Sequence, residues 1–263
     1  MYFDEDLVLD IRLNTLHKDV DKFIISEATR DHGGKKRNLK FDFKNFSKFK
    51  DKIEYLIIED IPEQVSSFKK GWHSNHIRDQ FQRNTLERGY RKFDENDLIM
   101  ISDIDEIPNP NVIKNFKIQN KYACFLQKNF QSKLNLLNIN NSYWAGTKIC
   151  QKKYLKSPQW LRNMKVKKKS FWKIFKKSIQ LIHNGGWHFS FLKEPSAIKG
   201  KIMSYAHQEF NNPKFTDIKF IENQISKGED LFQRDIKYKK IDIDNTFPDY
   251  IVKNKDKFKV WIM

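Results

Sequence analysis

The chain has little glycine and proline. Among 263 residues there are 9 Gly and 7 Pro, which excludes a collagen-like or linker-rich design. Its two cysteines, Cys124 and Cys150, are too few for a disulfide framework, so a reduced, cytoplasmic protein is the expectation. No apolar run approaches the roughly 18 residues needed to cross a bilayer. The N-terminus, Met1 to Asp6, has neither a basic start nor an apolar stretch, so it does not read as a signal peptide. The most informative lack is of acid. From Ile107 to Lys193 there is no Asp or Glu, while 18 Lys or Arg fall there. The 32 basic and 33 acidic residues elsewhere sum to −1, so this one region, at +18, supplies the net charge of +17. That region either faces something anionic or is a lysine-rich surface.

Aromatic residues are plentiful: 22 Phe, 9 Tyr and 6 Trp. That is too much aromatic surface for a disordered chain and enough to bury a core. With no internal repeat and no Pro/Gly/Ser linker, residues 1–263 read as a single domain. Leu7, Leu9, Ile11, Leu13 and Leu16 predict a first helix. Three short apolar runs, Phe23–Ser26, Tyr55–Ile58 and Leu98–Ile101, predict strands. Helical segments separate them, one capped by Ser74 or Asn75 and carrying Ile77, Phe81 and Leu86. This α/β pattern predicts a mostly parallel sheet covered on both faces. A short helix after Pro110 and strands over Tyr122–Gln127, Leu134–Ile139 and Asn141–Cys150 follow. Within the basic stretch 148–177, lysines 165, 167–169, 173, 176 and 177 interleave with Phe171, Trp172 and Phe175. On a helix these aromatics form one stripe with a basic flank, a surface for an anionic membrane or glycan.

Asp103-Ile-Asp105-Glu106-Ile107-Pro108 follows directly on the third strand, where open α/β sheets bind ligands. Asp103 and Asp105 point the same way in an extended segment. Two hard oxygen ligands suit Mg²⁺ or Mn²⁺ beside a diphosphate, where the metal offsets charge on a leaving group. Asp-x-Asp also occurs at Asp4/Asp6, Asp19/Asp21 and Asp242/Asp244, and those pairs read as solvated turns. A second cluster comprises Asn184–Ser190, with Trp187 and His188, and Ser204–Phe210, with His207 and Glu209. Either histidine offers a metal ligand or phosphate partner, and Glu209 a general base. The alternative is that Trp187 and His188 are ordinary core or strand residues.

The segments Asp97–Pro108, Gly186–Ser190 and Ser204–Phe210 together resemble glycosyltransferase family 17, which includes β-1,4-mannosyl-glycoprotein N-acetylglucosaminyltransferases. Phe23–Glu27 with Lys35–Phe41, Arg78–Arg83, Gly228–Phe232 and Phe247–Tyr250 extend the resemblance, in order, over nearly the whole chain. It implies a GT-A-like nucleotide-sugar fold, a divalent metal and an inverting transfer of a sugar, N-acetylglucosamine from UDP, onto a glycan or lipid-linked glycan. Asp103 and Asp105, completed by His207 or His188, would hold Mn²⁺ or Mg²⁺. Glu209 would be the base, with Asp230 and Glu106 as rivals. Glu27, Lys35, Arg78, Gln82, Arg83, Asp103, Trp187 and His188 would serve the donor. Family members carry a strand ahead of the segment matching Tyr2–Glu5, so a missing first strand is expected. No membrane anchor is read from the sequence, so the expected location is cytoplasmic, with peripheral attachment to an inner membrane face. Two other classes stay open. A nucleic-acid-binding protein would use the basic stretch and bind with steep salt dependence. A metal-dependent phosphohydrolase would use the same Asp and His groups with water as acceptor.

Overall fold

A computed structural model of the chain describes residues 1–63, 74–166, 179–204 and 208–263. The first helix, α1 (Asp6–Leu16), is followed by two strands, β1 (Phe23–Ala28) and β2 (Ile53–Ile58). Two helices, α2 (Ser74–Asn84) and α3 (Glu87–Tyr90), precede β3 (Leu98–Ile101), β4 (Glu106–Pro108), β5 (Tyr122–Gln131), β6 (Leu136–Asn138) and β7 (Tyr143–Gln151). Then come α4 (Pro158–Arg162), β8 (Gln180–Ile182), β9 (Gly186–Ser190), α5 (Pro195–Ser204), α6 (Ile218–Lys227), β10 (Tyr238–Lys240) and α7 (Asp249–Lys253). The helix after Pro110 is a 3-10 helix, Pro110–Asn115. Among the described residues, no helix is long and apolar enough to cross a membrane.

The expected strands form, but they do not make one parallel sheet. β1 and β2 pair in parallel as a separate two-stranded sheet. β3 instead runs antiparallel to β7, within an eight-stranded mixed sheet ordered β10-β6-β5-β7-β3, with β4, β8 and β9 joined to it. Among the described residues, only β8 and β9 lie parallel to β5 in that sheet. The physical reason is visible between the two sheets. Phe23, Ile24 and Ile25 of β1 and Leu98–Ile101 of β3 line a shared cavity of about 130 Å³, closed by Leu9 and Leu16 of α1 and by Leu86 and Tyr90. Among the described residues no strand lies between β1 and β3. The fold is therefore mixed α/β, a curled sheet flanked by helices.

The core is built where the sequence concentrates its apolar residues. α1 buries Val8, Leu9, Ile11, Leu13 and Leu16, more than one stripe, because it is enclosed between β4 and α7 rather than lying on a surface. Ile107, Phe130, Trp187, Phe189, Phe247, Ile251 and Phe258 complete the same cluster. Local signals set the ends of α6. Asp217 accepts from the Phe220 N–H at 2.7 Å, and Gly228, at φ +68°, closes the helix in the left-handed region. Gly186 has a stricter role. Its φ is +124°, and a Cβ there would stand 2.1 Å from the Ile107 carbonyl oxygen. Only glycine lets β9 approach β4 this closely.

Candidate active site

The site begins where β3 ends. The chain turns through Ser102–Asp105 into β4, and Arg12 of α1 pins that turn, donating to the Glu106 carbonyl at 2.7 Å and to Ser102 Oγ at 2.8 Å. β4 pairs antiparallel with β9, placing Glu106 opposite His188 and Ile107 opposite Trp187. β9 pairs in parallel with β5, placing His188 beside Asn129. Strand alternation then sorts the residues. Ile107, Trp187, Phe130 and Phe189 face the core, while Glu106, His188 and Asn129 form a row on the other face.

Glu106 is fully buried. Its Oε1 accepts from Trp144 Nε1 and from Arg162, each at 2.6 Å, and its Oε2 accepts from the Asp103 N–H at 3.1 Å. Burial pushes its carboxyl up to about 7. Asp103 is gripped from two sides, by Arg83 of α2 at 3.0 Å and by Arg162 at the end of α4 at 2.9 Å. Burial alone would raise Asp103, but the two guanidinium groups outweigh it and hold the carboxyl well below the usual range. Arg162 bridges Asp103 and Glu106 and is held protonated by them against the opposing effect of its own burial.

Asp105 is different. It is 8% exposed, and both of its near neighbours stand beyond hydrogen-bond reach. His188 Nε2 lies 3.8 Å from Oδ1 and Lys201 Nζ of α5 lies 3.7 Å from Oδ2. Lys201 also stands 3.7 Å from Glu5. Burial opposes the Lys201 charge, but Asp105 and Glu5 outweigh it and raise its pKa. His188 is lowered by burial, which Asp105 only partly offsets. Its ring stacks on Trp144, centroids 4.9 Å apart. Asp103 and Asp105 open on a cavity of about 270 Å³, together with Arg83, Gln82, Arg37, His32 and Lys201.

The predicted residues therefore divide. Asp103, Asp105, Glu106, Arg83, Gln82 and His188 come together. Gln82 reaches His32 at 3.0 Å and the Ser26 carbonyl at 3.3 Å. Arg78 lies just behind the cavity, joining the Pro62, His32 and Glu63 carbonyls at 2.9, 3.2 and 2.6 Å. Glu27 is fully buried with both oxygens engaged, by Arg37, the Lys40 and Phe41 N–H groups and Tyr55. It ties down the loop that carries Lys35, whose side chain is exposed. Trp187 donates to the Thr246 carbonyl at 3.0 Å from the core face. Asp230 lies apart, bound by Arg234 at 2.7 Å and by two backbone N–H groups. Burial raises it, and Arg234 more than reverses that, so its carboxyl is lowered. Glu209 lies exposed on a 3-10 helix, Gln208–Phe210, beyond α5. His207 lies outside the described residues, as does most of the basic aromatic cluster, 167–178. Part of the basic stretch is used internally. Lys148 is buried against the Arg162 carbonyl, and Lys152 bonds the Phe93 carbonyl at 2.7 Å.

Sequence reasoning missed Arg162, Lys201, Trp144 and Asn129. One signal was available for the first. Between Ile107 and Lys193 there are 17 lysines and a single arginine, Arg162. A planar, always-charged fork is the residue suited to bridging two buried carboxylates.

Whether the site fits a divalent cation turns on which oxygens are committed. Both Asp103 oxygens are bonded to arginines, so this carboxylate does not fit as a ligand in this arrangement. The Asp105 carboxylate fits. Among the described residues there is no group of three or more His, Cys, Asp or Glu side chains that could hold a metal, so a cation here would draw further ligands from substrate.

No curated protein and no solved structure matches the chain significantly. The sequence model of one family, glycosyltransferase family 17, matches residues 1–262. That span holds the whole ionic site just described, and the chain belongs to glycosyltransferase family 17.

Proposed function

We propose that the chain is a metal-dependent, inverting glycosyltransferase of GT-A-like design that moves N-acetylglucosamine from UDP onto a hydroxyl of a glycan or lipid-linked glycan. One observation carries the reading. A buried carboxylate whose oxygens make no hydrogen bond among the described residues, Asp105, opens on a cavity beside Lys201 and Arg83, next to the carboxyl end of β3. Acid and base side by side suit a diphosphate with its counter-ion. Asp105 would hold Mn²⁺ or Mg²⁺, which when bound supplies charge to offset the departing diphosphate. The chain's own groups do the rest. Arg83 and Arg162 fix Asp103 at the cavity wall. Lys201 faces the same space with an ammonium group that stays protonated. Arg37 and Gln82 line the part of the cavity toward β1, suited to the nucleotide.

An inverting displacement also needs a base on the acceptor hydroxyl. Following the family resemblance, we assign this step to Glu209, which alone of the three candidate carboxylates is exposed to solvent, Glu106 and Asp230 being buried. The basic residues of 148–177 that are not used internally would face an anionic glycan or membrane surface. The test is release of nucleoside diphosphate from a panel of nucleotide sugars, with and without Mn²⁺ and an acceptor mixture. A signal for one donor, lost in Asp105→Ala, is expected. Release at the same rate with water alone would instead favour a phosphohydrolase.

A further inference from the structure

His188 is oriented by a residue outside the acidic cluster. Asn129 sits beside His188 in the β5–β9 register. Its amide is oriented by a second contact, because Asn129 Nδ2 donates to the Asn141 carbonyl at 3.1 Å and a carbonyl can only accept. Asn129 Oδ1 must therefore be the atom that faces His188 Nδ1, at 3.1 Å. An amide oxygen also only accepts, so Nδ1 must carry the hydrogen. In the neutral ring this leaves Nε2 as a bare lone pair. Nε2 points at Asp105 Oδ1, 3.8 Å away, too far for a hydrogen bond. Two lone-pair-bearing atoms thus face each other across a gap. Trp144 stacks on the ring and donates to Glu106, so the imidazole plane is held as well. Lys201 stands by the other Asp105 oxygen, Oδ2, at 3.7 Å.

We infer that Asn129 is a positioning residue that fixes the Nδ1–H tautomer of His188, so that His188 Nε2 and Asp105 form a two-ligand seat for a divalent cation. A hydrogen bond from the second ring nitrogen to an acceptor is the usual way in which a metal-binding histidine is oriented, and its loss typically costs about 10–100-fold in metal affinity. This inference rests on the transferase reading of the same cavity, but the two fail separately. If the chain turns over a nucleotide sugar at full rate in chelator, the transferase reading stands and the cation seat is wrong.

The experiment is a Mn²⁺ titration of the full chain, followed by electron paramagnetic resonance of free Mn²⁺, with and without UDP. Asn129→Leu removes the acceptor and is expected to weaken binding by about 10–100-fold. Asn129→Asp keeps an acceptor oxygen toward Nδ1 and is expected to restore it, which a merely structural role would not do. His188→Ala and Asp105→Ala are expected to abolish binding. In parallel, ¹⁵N-histidine spectra of the unmodified chain should show His188 with its proton on Nδ1, and this reading needs no variant to fold. A proton on Nε2 in the free protein overturns the inference. So does Mn²⁺ affinity that is the same in folded Asn129→Leu and in the unmodified chain.

Discussion

Arg162 is the residue whose loss tests the site most directly. Replacing it by Met keeps an unbranched, shorter stem and removes the guanidinium group with its charge and donors. Asp103 would keep Arg83, but Glu106, fully buried, would lose its only cationic partner among the ion pairs described. Breaking a buried pair by removing one member costs about 3–5 kcal/mol, because the remaining charge is uncompensated. The cost must depend on pH. Burial already raises the Glu106 carboxyl to about 7, and Arg162 is the main influence holding it down. Without Arg162 it rises further. Between its unfolded value near 4.5 and that raised value, the folded chain binds a proton that the unfolded chain does not. Stability then falls as pH rises, by up to roughly 1.4 kcal/mol per pH unit for one proton. Glu106 of the unmodified chain already titrates at about 7, so only above that pH does the variant alone keep the proton, and urea unfolding of Arg162→Met should show a deficit larger at pH 8 than at pH 5.5 by up to about 1.4 kcal/mol. Adding Glu106→Gln should recover much of the loss at pH 8. A deficit below about 1 kcal/mol at pH 8, or one equal at both pH values, would refute the claim that Arg162 neutralises Glu106.

Asp105→Ala should lower kcat/KM for nucleotide-sugar turnover at least about 100-fold, or ~2.7 kcal/mol of transition-state stabilisation, while leaving the melting temperature nearly unchanged. A matched loss of melting temperature would mark Asp105 as structural. Gly186→Ala should destabilise the fold by at least about 2 kcal/mol, since its Cβ would meet the Ile107 carbonyl at 2.1 Å; an unchanged urea midpoint would contradict the β4–β9 approach. His188, lowered by burial, stays neutral in the folded chain while its unfolded form charges below about 6.5. Its contribution is complete above that pH and is lost as pH falls toward the folded value. His188→Asn should flatten the acid side of the stability profile, and an unaltered slope would argue against it. Hydrogen exchange should be faster over 98–101, paired on one side by β7, than over 123–130, paired on both sides; equal protection would mean that the β1–β3 cavity is closed to water.

The local elements of this chain were legible because they depend on local composition. The runs Phe23–Ser26, Tyr55–Ile58 and Leu98–Ile101 become β1, β2 and β3, and Leu7–Leu16 becomes α1, because apolar, β-branched or helix-periodic residues commit each segment before any partner is chosen. The ordered motifs around Asp103–Pro108 and Gly186–Ser190 were enough to point to the family. Pairing was not legible. A buried apolar strand looks alike whether its neighbour is parallel or antiparallel, so nothing in Leu98–Ile101 announced β7 as its partner.

The same limit governs the site. Asp103 and Asp105 are alike in sequence, two carboxylates two residues apart. Their roles separate only when α2 and α4 bring Arg83 and Arg162 against the first, while β9 and α5 bring His188 and Lys201 near the second. Spacing along a strand sets which way a side chain points. Which charge meets it there is decided by elements that lie from 20 residues earlier to 96 residues later in the chain, and only tertiary packing can choose among them.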